Sequence, residues 1–585
     1  MKKWIKALII VGIVLALGGI LTFIIIRGLN TVKPGENNND DIALEEYLEF
    51  IENDDETGLI VRLKDYRDTP EKVTIPEEYN NLPIVEIEDG GFAYCTNIKE
   101  LVLPKSITKI GRKAFSNCRS LESITLPFIG QTLDGGDKFA VVFDESGINP
   151  LNVTILDGTK VERSTFSSCS FIKSISLPSS ITALESSAFS GASNLEKITF
   201  EVDSETSQNA LTLIGNEAFS GCKALSSIEI PLSVTSIGEK AFYNCAKINA
   251  ISIPSSVEVI RASTFENCTA LEVVTLRNTL AKIETAAFKN CKALSVISLP
   301  DGLEVIEEEV FMNCASLKEI HLSDKIKTIE KNTFKDCSLL NSVELGDGIE
   351  IIKESAFDGC HRLLSLSLPK NITTIEKLAF NGCAKIAKLY FPKTLTNLDS
   401  TAFSGCIGIE KIEVEAGHPI FKEVNGYLTS LDGTELIMYP NGLIDGCLVI
   451  PSEIKVIKAG AFSQTTSLVE LVIPATVELI EKGAFVGCTS LEKLTTAFIG
   501  TNEKNSKFSD IFDSVPTSLK TLEFTGERIE KGQIDKATSL ENITLPFIGT
   551  SLLETEDKTF VCIFETLPAA LKTIVIKNPD VVVDG

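Results

Sequence analysis

Phenylalanine recurs at a fixed interval: from Phe219 to Phe403 there are eight consecutive steps of 23 residues without a slip. The same slot continues upstream at Phe92, Phe115, Phe166 and Phe189, and downstream at Phe462 and Phe485. A globular core places no such demand on spacing. A stack of equivalent turns does, because each turn must present its apolar residue at the same height to its neighbours. A chain of 585 residues would otherwise suggest several domains. The repeat replaces that expectation with one elongated array.

Cysteine follows three residues after most of these phenylalanines, so that 13 of the 15 cysteines are in phase with the repeat, while Ala192 and Thr465 fill the same slot elsewhere. A disulfide framework would not place one cysteine in each turn, nor accept alanine there. The slot therefore reads as a small, buried, uncoupled residue.

One turn, 291–311, shows the anatomy. Leu294, Ile297 and Leu299 carry a short strand, and Pro300, lacking an N–H, ends it. Leu303 and Ile306 are expected to be buried on the return, and the segment before Phe311 is expected to have helical or 3₁₀ character. One turn cannot bury this much apolar surface alone, and stacking solves the problem.

These features resemble the BspA-like leucine-rich repeats, also called the Treponema pallidum type. The pattern is carried by Leu121, Ile124, Leu126 and Pro127, by Ile107 and Ile110, and by Ala114, Phe115 and Cys118. It returns at Leu468, Leu471, Ile473 and Pro474 with Ala484, Phe485 and Cys488, and the match covers roughly 58–585. The resemblance implies an α/β repeat solenoid, a curved array with a parallel β-sheet on its concave face. It also implies a place on a cell surface, often for adherence to host matrix proteins or to other cells.

Departures from the repeat fall at 128–160, 201–210 and 413–450. In the last, Asn425-Gly426 and Asp432-Gly433 are hairpin signals. A longer variant repeat begins at Phe128, Phe498 and Phe547, each followed by a phenylalanine pair, and occupies 497–585 at the end of the sequence.

At the start, Lys2, Lys3 and Lys6 precede an uncharged run, 7–26, closed by Arg27. Twenty apolar helical residues span about 30 Å, the thickness of a bilayer's hydrocarbon. The expectation is a cytoplasmic tail (1–6), a transmembrane signal anchor (7–26), a flexible stalk (27–43) and an extracellular repeat domain (44–585). The lipid bilayer is then a partner through that helix. The competing reading, a cleaved signal peptide, fits less well because the run ends Thr22-Phe23-Ile24-Ile25-Ile26, a poor cleavage site. No wall-sorting signal is seen near Gly585, so attachment is expected to rest on the N-terminal helix.

A formal net charge of −25 argues against nucleic acid as a partner. The three histidines, His321, His361 and His418, show no metal-ligand spacing. Phosphate loops, nucleophile elbows and zinc-protease motifs do not occur. Neither an enzyme nor a cofactor or metal site is expected.

Function is instead expected on the exposed side of the strands, where alternate residues point outward. Most of that column is serine or threonine. His321, Glu344, Ser367, Tyr390 and Glu413 occupy five successive turns and break the pattern with an aromatic, an imidazole and two carboxylates. They form the candidate ligand-binding strip, for an extracellular protein or a surface glycan, since exposed aromatics favour binding hot spots. Unselected variation on a solvated sheet is the plainer account of the same residues. A structural stalk or connector without a specific ligand is the alternative function.

Overall fold

The computed structural model describes residues 44–132, 138–143, 149–206, 208–443, 446–547, 550 and 559–577. The expected anchor and stalk lie outside these residues. Among the described residues no helix is long and apolar enough to cross a membrane. Residues 44–49 and 63–65 form a small unit of their own, in which the Lys64 N–H donates to the Tyr47 carbonyl at 2.9 Å beyond the one-turn helix Leu44–Tyr47. The second unit contains the repeats and is described by itself.

Most turns contribute two short parallel rungs. In the first ladder Ala250–Ser252 pairs with Val273–Thr275, which pairs with Val296–Ile297. In the second, Val259–Ile260 pairs with Lys282–Ile283 and then with Val305–Ile306. The register advances by one repeat each time. The middle residue of a three-residue rung is buried between two exposed ones, as at Glu319–His321 and Ser342–Glu344. That is the two-residue alternation of a strand with one face on the core.

The third side of the turn is not helical, which corrects the α component expected from sequence. Backbone N–H groups alternate in direction there. Those of Ala286, Phe288 and Asn290 donate to the next turn, at the carbonyls of Glu308, Val310 and Met312. Those of Ala287, Lys289 and Cys291 donate three residues back within their own turn. A helix would send every N–H along its own axis. The alternation needs two left-handed residues per turn, and Ala286 (φ 57°) and Asn290 (φ 61°) supply them. The same two slots recur as Lys240 and Asn244, Ser263 and Asn267, and Glu309 and Asn313. Asparagine, aspartate and glycine dominate the second slot because they tolerate this conformation best. The repeat array is therefore an almost purely β solenoid. Its helical pieces among the described residues are short 3₁₀ segments such as Phe139–Val141 and Phe508–Ile511.

The core is a set of aligned columns. The rings of Phe166 through Phe403 stack nearly parallel, with Phe288 and Phe311 5.7 Å apart at 3° and Phe357 and Phe380 5.1 Å apart at 3°. Beside them runs the cysteine column. From Cys222 to Cys406 each column thiol donates to the carbonyl of a phenylalanine in the preceding turn, at 3.1 Å for Cys245 to Phe219 and 3.2 Å for Cys268 to Phe242. The cysteine is thus a buried donor as well as a small hydrophobe. Where Thr465 replaces it, the hydroxyl donates to the Phe462 carbonyl at 2.6 Å instead. At the first turns Cys95 and Cys118 bring their sulfurs to 2.8 Å, and both are free thiols. Burial pushes the thiols up, to about 12 at Cys222, Cys268 and Cys406.

Outside the core, successive turns are tied by ion pairs 23 residues apart: Lys331 to Glu354 at 3.0 Å, Lys335 to Asp358 at 2.8 Å and Lys353 to Glu330 at 2.5 Å. Asparagines add a short ladder, Asn313 to Asn290 and Asn290 to Asn267, both at 2.8 Å.

The departures from the repeat still carry rungs. Within 128–160, Leu151–Ile155 joins the first ladder between Ser123–Leu126 and Ile172–Leu177. The variant turns likewise continue it through Thr521–Phe524, Asn542–Leu545 and Thr573–Ile576. Their phenylalanine pairs sit on single 3₁₀ turns, with ring centroids 5.1 Å apart for Phe139 and Phe143 and 5.3 Å for Phe508 and Phe512. Residues 421–438 form the expected double hairpin. Phe421–Val424 pairs antiparallel with Tyr427–Ser430, and Tyr427–Ser430 with Glu435–Met438. At its first bend Asn425 (φ 52°) and Gly426 (φ 91°) are both left-handed, as a two-residue type I′ turn requires.

Candidate binding face

The outward column of the first ladder places the five candidate residues on successive turns, but not as one unbroken strip. His321 and Glu344 are register partners, and the His321 Nδ1 lies 2.9 Å from Glu344 Oε2. Both side chains are open to solvent, at 57% and 76% of their full exposure. Tyr390 and Glu413 are register partners further on, and Tyr390 is 45% exposed. Ser367, between these pairs, is exposed but belongs to no paired rung. The alternation persists there while the ladder lapses, so the strip has two paired halves.

The two halves differ chemically. His321–Glu344 is a lone exposed pair. Glu413 is held between Lys388 at 2.8 Å and Lys411 at 2.7 Å, and these hydrogen-bonded ammonium groups pull its carboxyl below the usual range. The phenol of Tyr390 stands beside this charged triad. It offers a flat apolar surface next to fixed charges.

Reading one outward column from sequence missed the other. Residues two positions earlier in each strand also point outward. They include Lys388 and Lys411, and also Val273 and Val296, register partners that are 37% and 60% exposed. The period of two that yielded the first column would have yielded the second.

The insert adds relief. The tip of the first hairpin, through Glu423 and Gly426, stands against Glu410–Val414 and closes a cleft of about 300 Å³ at the Glu413 end of the strip. On the second-ladder side, a cleft of about 570 Å³ separates Asn397–Leu398 from the insert strands. Neither was legible from spacing alone, because both depend on where the insert packs.

Two parallel ladders per turn, a corner of the form Phe-x-x-Cys and an open sheet face define a leucine-rich-repeat solenoid. The chain belongs to the BspA-type leucine-rich repeat family, whose six-copy model matches residues 85–210, 202–318, 304–423 and 447–561. No curated protein matches the chain. It is similar to a leucine-rich repeat protein from Bacteroides ovatus, 26% identical over 63% of this chain and 92% of that one, with a TM-score of 0.42. A leucine-rich cell surface protein from Faecalibacterium prausnitzii is 16% identical over 94% of this chain and 96% of that one, with a TM-score of 0.30. The leucine-rich repeat protein of T. pallidum is 21% identical over 44% of this chain and 91% of that one, with a TM-score of 0.22.

Proposed function

We propose that this chain is a non-enzymatic, cell-surface protein-binding solenoid, held to the membrane by residues 7–26, that recognises an extracellular protein through the outward face of its first ladder. The observation that carries this reading is the Tyr390 ring, 45% exposed beside the Lys388–Glu413–Lys411 triad. An exposed aromatic ringed by fixed charges is the composition of an interface hot spot, where desolvation of the ring supplies affinity and the charges set orientation.

The test is a binding screen of the full chain against matrix proteins, other surface proteins and surface glycans. The triple variant His321→Ala, Glu344→Ala, Tyr390→Ala runs alongside. Saturable binding that falls at least tenfold in the triple variant supports the reading. Unchanged binding moves the site off this face. Absence of binding to every class favours a connector whose length is its function.

A further inference from the structure

The second ladder is broken at several places, and the break before the insert at 413–450 leaves an open edge. The rung Asn397–Leu398 pairs only with Thr374–Ile375 behind it. Its N–H groups point backward: those of Asn397 and Asp399 donate to the carbonyls of Thr373 and Ile375, both at 3.0 Å. The carbonyls of Thr396 and Leu398, opposite those N–H groups in their peptide planes, therefore face forward. Among the described residues no N–H or O–H donates to the carbonyl of Thr396 or of Leu398. The ladder also loosens between Ser236–Ile237 and Val259–Ile260 and between Val305–Ile306 and Thr328–Ile329, but in both places the next regular turn follows 23 residues on. Here the 570 Å³ cleft lies between the edge and the insert.

The walls of that cleft are already fixed. Ile375, Leu398, Phe421 and Ile437 give it an apolar floor, and Leu398 is half-buried where its counterparts Ile352 and Ile375 are fully covered. Phe421 is pinned because its N–H and that of Ile420 both donate to His418 Nδ1, at 3.1 and 3.2 Å. Around the floor stand four carboxylates, Glu376, Asp399, Glu435 and Glu481, against two ammonium groups, Lys377 and Lys458. Both lysines are engaged, Lys458 with Glu481 at 2.5 Å and Lys377 with Glu354 at 3.3 Å. The cleft thus offers acceptors and negative charge in excess, with an apolar base.

We infer that this cleft is a docking site for an extended basic peptide segment of a partner protein, added as the missing rung beside Asn397–Leu398. A strand added to a sheet edge gains main-chain hydrogen bonds along the edge and places alternate side chains in the flanking pockets. Here the added strand supplies two N–H donors, two residues apart, to the Thr396 and Leu398 carbonyls. The side chains between them place an apolar group on Phe421 and a lysine or arginine beside Asp399 and Glu435. This site is separate from the outward face of the first ladder and stands or falls without it.

The test uses the full chain and three fluorescein-labelled hexapeptides: alternating valine and lysine, alternating valine and glutamate, and the lysine peptide N-methylated at alternate residues. Saturable anisotropy change is expected with the lysine peptide only. Losing the N–H donors by methylation should abolish it, and the double variant Asp399→Asn, Glu435→Gln should weaken it about three- to tenfold. Both replacements keep side-chain shape, and circular dichroism checks that the fold persists. The triple variant on the outward face should bind the peptide unchanged. Equal binding of the lysine and glutamate peptides, tolerance of N-methylation, indifference to the double variant, or no binding at all would each overturn the assignment.

Discussion

The Sγ of Cys291 donates to the carbonyl of Phe265, one turn back, at 3.2 Å, and the pair is fully buried. Each such bond joins the two core columns across successive turns. Replacing Cys291 with alanine removes one of two donors to the Phe265 carbonyl, which keeps the Cys268 N–H at 3.1 Å. The expected cost is about 0.5–1.5 kcal/mol, measured as a shift in the urea midpoint of the far-ultraviolet signal. A loss well below that range would mean that the thiol acts through volume alone.

The thiol column predicts alkaline sensitivity. In the folded chain burial holds thiols such as Cys222 and Cys268 near 12, against an unfolded value of 9.0. A raised folded value means that the contribution is fully present below pH 9 and is lost as pH rises from 9 toward 12. Each such thiol contributes a slope of about 1.4 kcal/mol per pH unit in that window. Thermal unfolding followed from pH 8 to 11 should show a steep fall in Tm, shallower in a Cys268→Ala variant. Ellman's reagent should find Cys447, which is exposed, in the native state and the column thiols only on unfolding.

Phe311 stacks on Phe288 at 5.7 Å and on Phe334 at 5.5 Å. Truncation to alanine removes both contacts and opens a cavity inside the column, at an expected cost of about 3–5 kcal/mol. Because a repeat array is coupled only to nearest neighbours, the damage should be local. Hydrogen exchange should rise in the turns around 288–334 and stay unchanged beyond 446.

Asp432 shapes the second bend of the insert. Its Oδ1 accepts from the Ser430 hydroxyl at 2.6 Å and from the Thr434 N–H and hydroxyl at 3.0 Å each, and these bonds lower its carboxyl to about 2. A lowered folded value means that the support is present above the unfolded value of 3.8 and is lost as pH falls through 2. Exchange protection of the Tyr427–Ser430 and Glu435–Met438 strands should drop selectively over that interval. Asp432→Asn should show a smaller pH dependence there.

Gly348 has no room for a side chain, since a Cβ would overlap the Asp324 carbonyl of the previous turn. Gly348→Ala should therefore cost about 1–3 kcal/mol or more through forced backbone movement. By contrast, His321→Ala on the open face should change stability by no more than about 0.5 kcal/mol. Thermal melts of the two variants check both expectations. The second result also secures the binding test, because loss of binding in the face variant would then report recognition rather than folding.

The repeat length, the buried positions and the outward column were all legible in the chain itself. They follow from local rules: a strand alternates, a proline ends a rung, and a residue needed once per turn recurs once per turn. The double hairpin was legible for the same reason, since Asn425 and Gly426 specify their own bend. What spacing did not show was the non-helical corner. Phe-x-Asn-Cys reads equally well as one turn of helix until the N–H of Asn290 is seen to donate to Met312 in the next turn.

The amino-acid sequence by itself thus determined that this protein is mainly a stack of 23-residue turns with a phenylalanine and a cysteine in most core layers. The tertiary structure alone decided which carbonyl each thiol meets, that Tyr390 stands beside a charged triad, and that the edge at Thr396 and Leu398 stays open. The division has one physical cause. The first set depends on residues close in the chain, whereas the second depends on groups a full turn or more away, brought together only by stacking and by the place where the insert interrupts it.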